Sequence, residues 1–239
     1  MSGYINTLVF GIYPYIALAV LVLGTIIRYD REPYTWRSGS SQLLRRKQLI
    51  WGSVLFHVGV LVIFFGHLIG LLTPIAVFDA IGISHTAKQL LAIIAGGIAG
   101  VMAIVGATML IHRRLFDARV RAASSNSDTA IIILLWIQLL LGLMTIPVSL
   151  GHLDGHEMVR FMTWAQGIFT FNPDAASYVA GASWVFKAHL FLGLTIFLLF
   201  PFTRLVHMLS VPVRYLWRPG YQVVRERNRR EAPNRIPAE

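Results

Sequence analysis

Long apolar runs separated by short polar stretches set the plan of this chain. Five stand out: about Asn6–Ile27, Leu49–Thr73, Lys88–Ile111, Thr129–Ser149 and Ser183–Val211. Each reaches the ~20 residues that a helix needs to cross a bilayer. Helix is the expected form, because lipid offers the backbone no hydrogen-bond partner outside the segment itself. Period-two alternation is absent, which argues against a membrane barrel. The pattern predicts an all-α membrane protein with five transmembrane helices. The first run has no charge before Arg28 and no small-residue cleavage pattern, so it reads as a retained helix rather than a signal peptide.

Composition agrees with the pattern. Of 239 residues, 56% are hydrophobic and only 13% charged, against about 25% charged in an ordinary soluble domain. There is no cysteine, which removes disulfides, cysteine-held iron–sulfur clusters, thiolate-bound zinc and thioether-linked haem. A metal held by this chain has to use histidine, carboxylate or carbonyl ligands.

The net charge of +10 invites a nucleic-acid reading, but its placement argues otherwise. Five spans leave the termini on opposite sides. The first loop, the third loop and the tail gather eighteen lysines and arginines on one side; Lys88, Arg160 and Lys187 stand alone on the other. This asymmetry predicts an external N-terminus and a cytoplasmic C-terminus. Residues 1–218 then form one membrane domain, and residues 219–239 form a basic cytoplasmic tail containing Arg225–Arg230. A basic cytoplasmic face also suits anionic lipid or an acidic partner subunit.

Smaller features are weighed as packing. Gly96 and Gly100 stand in G-x-x-x-G spacing, and Gln138 is a lone polar group suited to an interhelical hydrogen bond. The long loop Leu150–Ala182 holds a stretch, Met158–Phe171, that reads as an amphipathic helix at the outer surface, over a cavity or as plain loop.

Ionisable groups inside a membrane are costly and tend to be functional. Of eight histidines, His85, His112, His152 and His156 fall at segment ends or in loops, where the interface solvates them. His57, His67, His189 and His207 lie within or at the edges of apolar runs, with no intramembrane carboxylate to partner them. The second and fifth spans run antiparallel, which matches His67 with His189 and His57 with His207. Each pair suits the two axial positions of a haem iron. Gly59, Gly66, Gly70 and Gly193 flank these ligands and leave gaps for a flat macrocycle. One mismatch stands out. On straight helices, His57 and His67 are about 15 Å apart and about 80° apart around the axis, whereas His189 and His207 are about 27 Å apart on one face. Tilt, or a bend at Pro201, has to absorb the difference. A histidine-lined transport path and an inert anchor with interhelical histidine bonds are the competing readings.

The chain also closely resembles the gamma subunit of membrane-bound respiratory nitrate reductase, a dihaem b-type cytochrome. The matching stretches include Ile12–Ala17, Arg28–Asp30, Tyr34–Ser38, Leu55–Pro74, Arg113–Ala122, Leu141–Ser149, Trp164–Gln166 and Leu199–Leu216. The resemblance implies two haem b groups, with His57 and His207 on the inner iron and His67 and His189 on the outer one, inside a four-helix-type bundle with one additional helix. It implies quinol (menaquinol or ubiquinol) as substrate, bound near Gly66, His67 and Lys88, with protons released outside. The partners implied are an iron–sulfur beta subunit and a molybdenum-containing alpha subunit on the cytoplasmic face of a bacterial or archaeal inner membrane, where the alpha subunit reduces nitrate. Lys187 is a further candidate, for a haem propionate or as an interfacial anchor. A haem b subunit of a related quinone-linked reductase is the neighbouring alternative.

Overall fold

The computed structural model describes residues 3–36 and 44–210. Among them the regular structure is all helical, and five helices are long and apolar enough to cross a membrane. These are α1 (Gly3–Arg31), α2 (Arg46–Leu72), α3 (His85–Phe116), α4 (Asn126–Leu150) and a fifth span, Trp184–Phe202, whose α-helical part is α6 (Trp184–Leu199). The shorter α5 (His156–Phe169) lies in the loop before the fifth span. The first four helices run past the predicted apolar limits at both ends or at one, because helical hydrogen bonding continues until a cap interrupts it. Ser84 Oγ accepts from the Ala87 amide ahead of α3, and Ser125 Oγ from the Asp128 amide ahead of α4. Pro74 follows the last turn of α2.

The spans pack in an open arc: α2 on α3, α3 on α4, α4 on α6 and α6 on α1. The helices α2, α3, α4 and α6 form the four-helix cluster, and α1 is the additional helix. The α2–α3 crossing is the tightest. A Cβ on Gly59 would stand 2.5 Å from the Ala99 carbonyl oxygen, and one on Gly106 would stand 2.4 Å from the Phe56 amide nitrogen. The small-residue surface is therefore Gly52, Gly59, Ala99, Ala103 and Gly106. Of the G-x-x-x-G pair, Gly100 does pack, against Leu143 on α4, but Gly96 faces open space. Spacing suggested the motif; which face meets a neighbour decides its use.

At one end of the arc α5 closes the gap between α1 and α2. Its Met162, Trp164, Ala165, Gly167 and Ile168 are buried. A single π-turn, Leu8–Ile12, interrupts α1, and the Phe10 carbonyl there accepts a 2.9 Å bond from Trp164 Nε1. Asn6 Nδ2 donates to the Ala176 carbonyl at 2.7 Å, and Gln166 Nε2 to the carbonyls of Leu71 and Thr73 at the end of α2. The stretch Met158–Phe171 is thus helical to Phe169, but it is built into the end of the bundle rather than laid along its surface.

The fifth span departs from the sequence expectation. It is not one helix to Val211, a residue that lies outside the described range. Helix α6 stops at Leu199, Phe200–Phe202 form a 3₁₀ turn, Thr203 is extended (φ −121°, ψ 178°), and a second 3₁₀ stretch covers Arg204–Ser210. Pro201, which has no amide proton, ends the α-helical ladder. The basic tail 219–239 also lies outside the described residues.

Candidate functional site

Two histidines project from the long apolar part of α2, and both are exposed. A helical histidine bends back toward the preceding turn, so its Nδ1 meets a backbone carbonyl there. His57 Nδ1 lies 2.7 Å from the Ser53 carbonyl oxygen, and His67 Nδ1 2.8 Å from that of Ile63. A carbonyl can only accept, so each ring carries its proton on Nδ1 and keeps the Nε2 lone pair. His207 is set the same way by a short bond from Nδ1 to the Arg204 carbonyl. That arrangement is the usual outer support of a metal-bound imidazole.

The four rings face one another in two pairs. The centroids of His57 and His207 are 6.3 Å apart, and those of His67 and His189 6.1 Å apart. These are the pairs that antiparallel topology predicts. The break after Leu199 resolves the register mismatch: α2 is continuous through both of its histidines, so the adjustment falls on the chain between α6 and His207. Two metal–imidazole bonds of about 2 Å each, plus the distance from each Nε2 to its ring centre, sum to about 6 Å. Among the described residues no three metal-binding side chains gather. The donor set is therefore two imidazoles per site, which fits an iron whose other ligands come from a porphyrin.

His189 is the exception. Its Nδ1 is buried without a hydrogen-bond partner. The polar group beside it comes from α4: Gln138 Nε2 donates to the His189 carbonyl at 3.1 Å and stands 3.5 Å from His189 Nε2, while Gln138 Oε1 is buried and unpartnered. Gln138 thus makes the interhelical bond expected of it. Gly142, one turn on, admits the imidazole, since a Cβ there would lie 3.0 Å from His189 Cε1.

The flanking glycines divide into two kinds. A Cβ on Gly66 or Gly70 would meet nothing within 4 Å, so these two leave the surface beside His67 open. Gly59 does not serve a macrocycle; its bare Cα admits α3. Gly193 faces Gln138 Nε2, 3.2 Å from its would-be Cβ.

Lys88 is buried, at 6% exposure. Its Nζ donates to the Gly70 carbonyl at 3.0 Å, lies 2.8 Å from Met162 Sδ and sits 3.7 Å from the centre of the Phe78 ring. This cation is therefore held at the end of α2, three residues beyond His67. Lys187 Nζ donates to the Ala180 carbonyl at 2.7 Å, and so ties its own helix to the preceding loop.

A family model described as nitrate reductase gamma subunit matches residues 6–227. The chain belongs to that family. It is 48% identical to the respiratory nitrate reductase 1 gamma chain of Escherichia coli (strain K12), over 94% of this chain and 99% of that one. It is 40% identical to the nitrate reductase gamma chain of Bacillus subtilis (strain 168), over 95% of this chain and all of the other. Against the nitrate reductase-like protein NarX of Mycobacterium tuberculosis (strain ATCC 25618 / H37Rv), identity is 33% over 90% of this chain, which spans 33% of that longer protein. As a gamma subunit it is a membrane component of a multi-subunit nitrate reductase, and so part of an enzyme.

The opposite end of this gamma subunit carries the basic residues. Arg45 Nε pairs with Asp117 at 2.8 Å, Arg113 Nη2 donates to the Leu44 carbonyl at 2.6 Å, and Arg114 and Arg204 converge on Asp128 at 3.8 and 3.7 Å. Sequence reasoning read these arginines as a topology signal and as a face for anionic lipid or an acidic partner subunit. It counted Arg28 among them but missed its local role: the guanidinium reaches the broken end of the fifth span. The signal was the short distance from Arg28 back to Gly24 and the presence of Pro201, which together mark a close approach.

Proposed function

We propose that this chain is the dihaem b-type cytochrome of a membrane-bound respiratory nitrate reductase, oxidising menaquinol or ubiquinol at the outer face of a bacterial or archaeal inner membrane. The observation that carries the reading is the two facing imidazole pairs, with centroids 6.3 and 6.1 Å apart, stacked along α2. The eighteen-to-three bias of basic residues sets the orientation, with the Arg113–Arg114 end cytoplasmic and the α5 end outside.

His57 and His207 hold the inner haem, and His67 and His189 the outer one. Haems bound there supply a one-electron relay from the outer face to an iron–sulfur beta subunit, which serves a molybdenum-containing alpha subunit. The Nδ1–H bonds of His57, His67 and His207 to backbone carbonyls lock those rings and raise the basicity of Nε2. Lys88 is the quinol-facing donor. Among the described residues its Nζ meets neutral groups, the Gly70 carbonyl, Met162 Sδ and the Phe78 ring, and it can turn from the Gly70 carbonyl to a quinol oxygen. Gly66, bare at Cα, leaves room for the head group beside His67. Protons released on oxidation leave through the adjacent outer face, so each electron carried inward works against the membrane potential, about 2.3 kcal/mol per 100 mV. The basic cytoplasmic end docks the catalytic partners.

A pyridine haemochrome assay on the purified full-length chain tests the reading. Two b-type haems per chain are expected, with one lost in His57→Ala and the other in His67→Ala. A wild-type chain without haem, and without quinol-dependent reduction in the assembled complex, overturns it.

A further inference from the structure

The last carbonyls of a helix have no partner within it and need donors from elsewhere. Here the break after Leu199 leaves the carbonyls of Pro201 and Thr203, and one side chain takes both. Arg28 Nη1 donates to Pro201 O at 2.7 Å and to Thr203 O at 2.8 Å. The same guanidinium reaches back to its own side of the bundle: Nη2 to Thr35 O at 3.0 Å and Nε to Thr35 Oγ1 at 3.3 Å. A planar fork of five fixed donors can serve all four at once. One turn earlier on α1, Gly24 admits the proline; a Cβ there would lie 2.8 Å from Pro201 Cγ. The cation also sits at the carbonyl end of α6, where the helix dipole favours it.

The consequence lies four residues further on. Thr203 is the extended residue that turns the chain into Arg204–Ser210, and His207 rides on that turn. The path of the Thr203 carbonyl therefore fixes where the His207 imidazole stands relative to His57. We propose that Arg28 is the positioning residue of the inner haem site: its guanidinium bonds Pro201, Thr203 and Thr35, and it acts by holding the Pro201–Thr203 break so that His207 faces His57. The proposal rests on the dihaem reading above. An arginine present only as a topology signal would need none of these four bonds and would be replaceable by lysine.

The test uses the full-length chain with its partner subunits, in detergent. The low-spin haem signals are followed by electron paramagnetic resonance and assigned with His57→Ala and His67→Ala. Haem retention is then measured against excess apomyoglobin. Two low-spin signals in the wild-type chain establish the dihaem reading independently of Arg28. In Arg28→Gln the inner site should bind haem roughly 10- to 100-fold more weakly, with its low-spin signal converting to high spin, while the outer signal stays as in wild type and certifies the fold. Arg28→Lys should fall between the two. Unchanged signals in Arg28→Gln, parallel loss of both haems, or a lysine variant equal to wild type would each overturn the assignment.

Discussion

Gln138 on α4 and His189 on α6 share a buried contact in which each keeps one polar atom unpaired: Gln138 Oε1 and His189 Nδ1. The amide nitrogen is already committed to the His189 carbonyl at 3.1 Å. His189 is thus supported from a neighbouring helix, whereas the other three histidines are supported from their own stretch of chain. Gln138→Leu removes that support and one interhelical bond, and should cost about 0.6 kcal/mol of stability in detergent unfolding. It should also move the redox midpoint of the outer haem and leave the inner one in place. A redox titration in which the inner midpoint moves instead would refute the pairing of roles.

The α2–α3 crossing has no slack. Because the would-be Cβ of Gly106 meets the Phe56 amide at 2.4 Å and the Gly52 carbonyl at 2.7 Å, both backbone, Gly106→Ala has to push the helices apart. A loss of about 1–3 kcal/mol is expected. Both histidines of α2 move with that helix, so both haems should bind less tightly. Gly96→Ala, which meets open space, should stay within about 0.5 kcal/mol of wild type. Thermal melts of the two variants side by side decide the point.

Lys88 offers a test of the quinol reading. Lys88→Ala removes a charged donor, which is worth about 1.5–3 kcal/mol in a hydrogen bond. Titration with a quinol-analogue inhibitor should show affinity reduced by roughly tenfold or more, with haem content unchanged. Equal affinity in the variant would remove Lys88 from the site.

Asp117 makes acid sensitivity a property of the basic end. The backbone N–H of Val120 chiefly, then that of Arg119 and the Arg45 guanidinium, hold its carboxyl below the usual carboxylate range, against a smaller opposing effect of burial. A carboxylate stabilised in the folded state contributes fully above its unfolded value of about 3.9 and loses that contribution as pH falls through its lower folded value. Unfolding midpoints should therefore drop on the acid side of pH 4 in wild type. In Asp117→Asn, which keeps a capping oxygen, the drop should be shallower. Identical acid limbs would exclude this carboxyl as the source.

The spans were legible in the sequence because bilayer thickness imposes a length that composition reveals. The histidine pairing was legible too, since antiparallel topology leaves one matching by depth. The break in the fifth span was only half legible. Pro201 announced a bend, but the extended Thr203 and the 3₁₀ turn carrying His207 follow carbonyls that Arg28 bonds from more than 170 residues away, a contact no local pattern reports. The roles of the glycines were misjudged where spacing stood in for contact: Gly59 looked like a gap for a cofactor and is a helix crossing, while Gly96 looked like a crossing and is open. Helix α5 is tied in part by the Trp164 bond to a carbonyl in the π-turn of α1, and no local pattern at Trp164 reports that. The assignment of quinol to Lys88 and Gly66 came from family resemblance; Lys88, on α3, bonds the Gly70 carbonyl of α2, one turn beyond Gly66.

The bonds that close the bundle join the first span to the loop before the fifth span and to the fifth span itself: Asn6 to Ala176, Tyr13 to Thr195, Arg28 to Pro201. During synthesis α1 can therefore make these contacts only after four spans have been laid down. His189 and His207 come after those four spans, so neither facing pair of imidazoles exists on a nascent chain that stops before the fifth. A group held between the two rings of a pair has to be loaded after that span is made, and a ribosome that stalls before it leaves a membrane-inserted product without the seats.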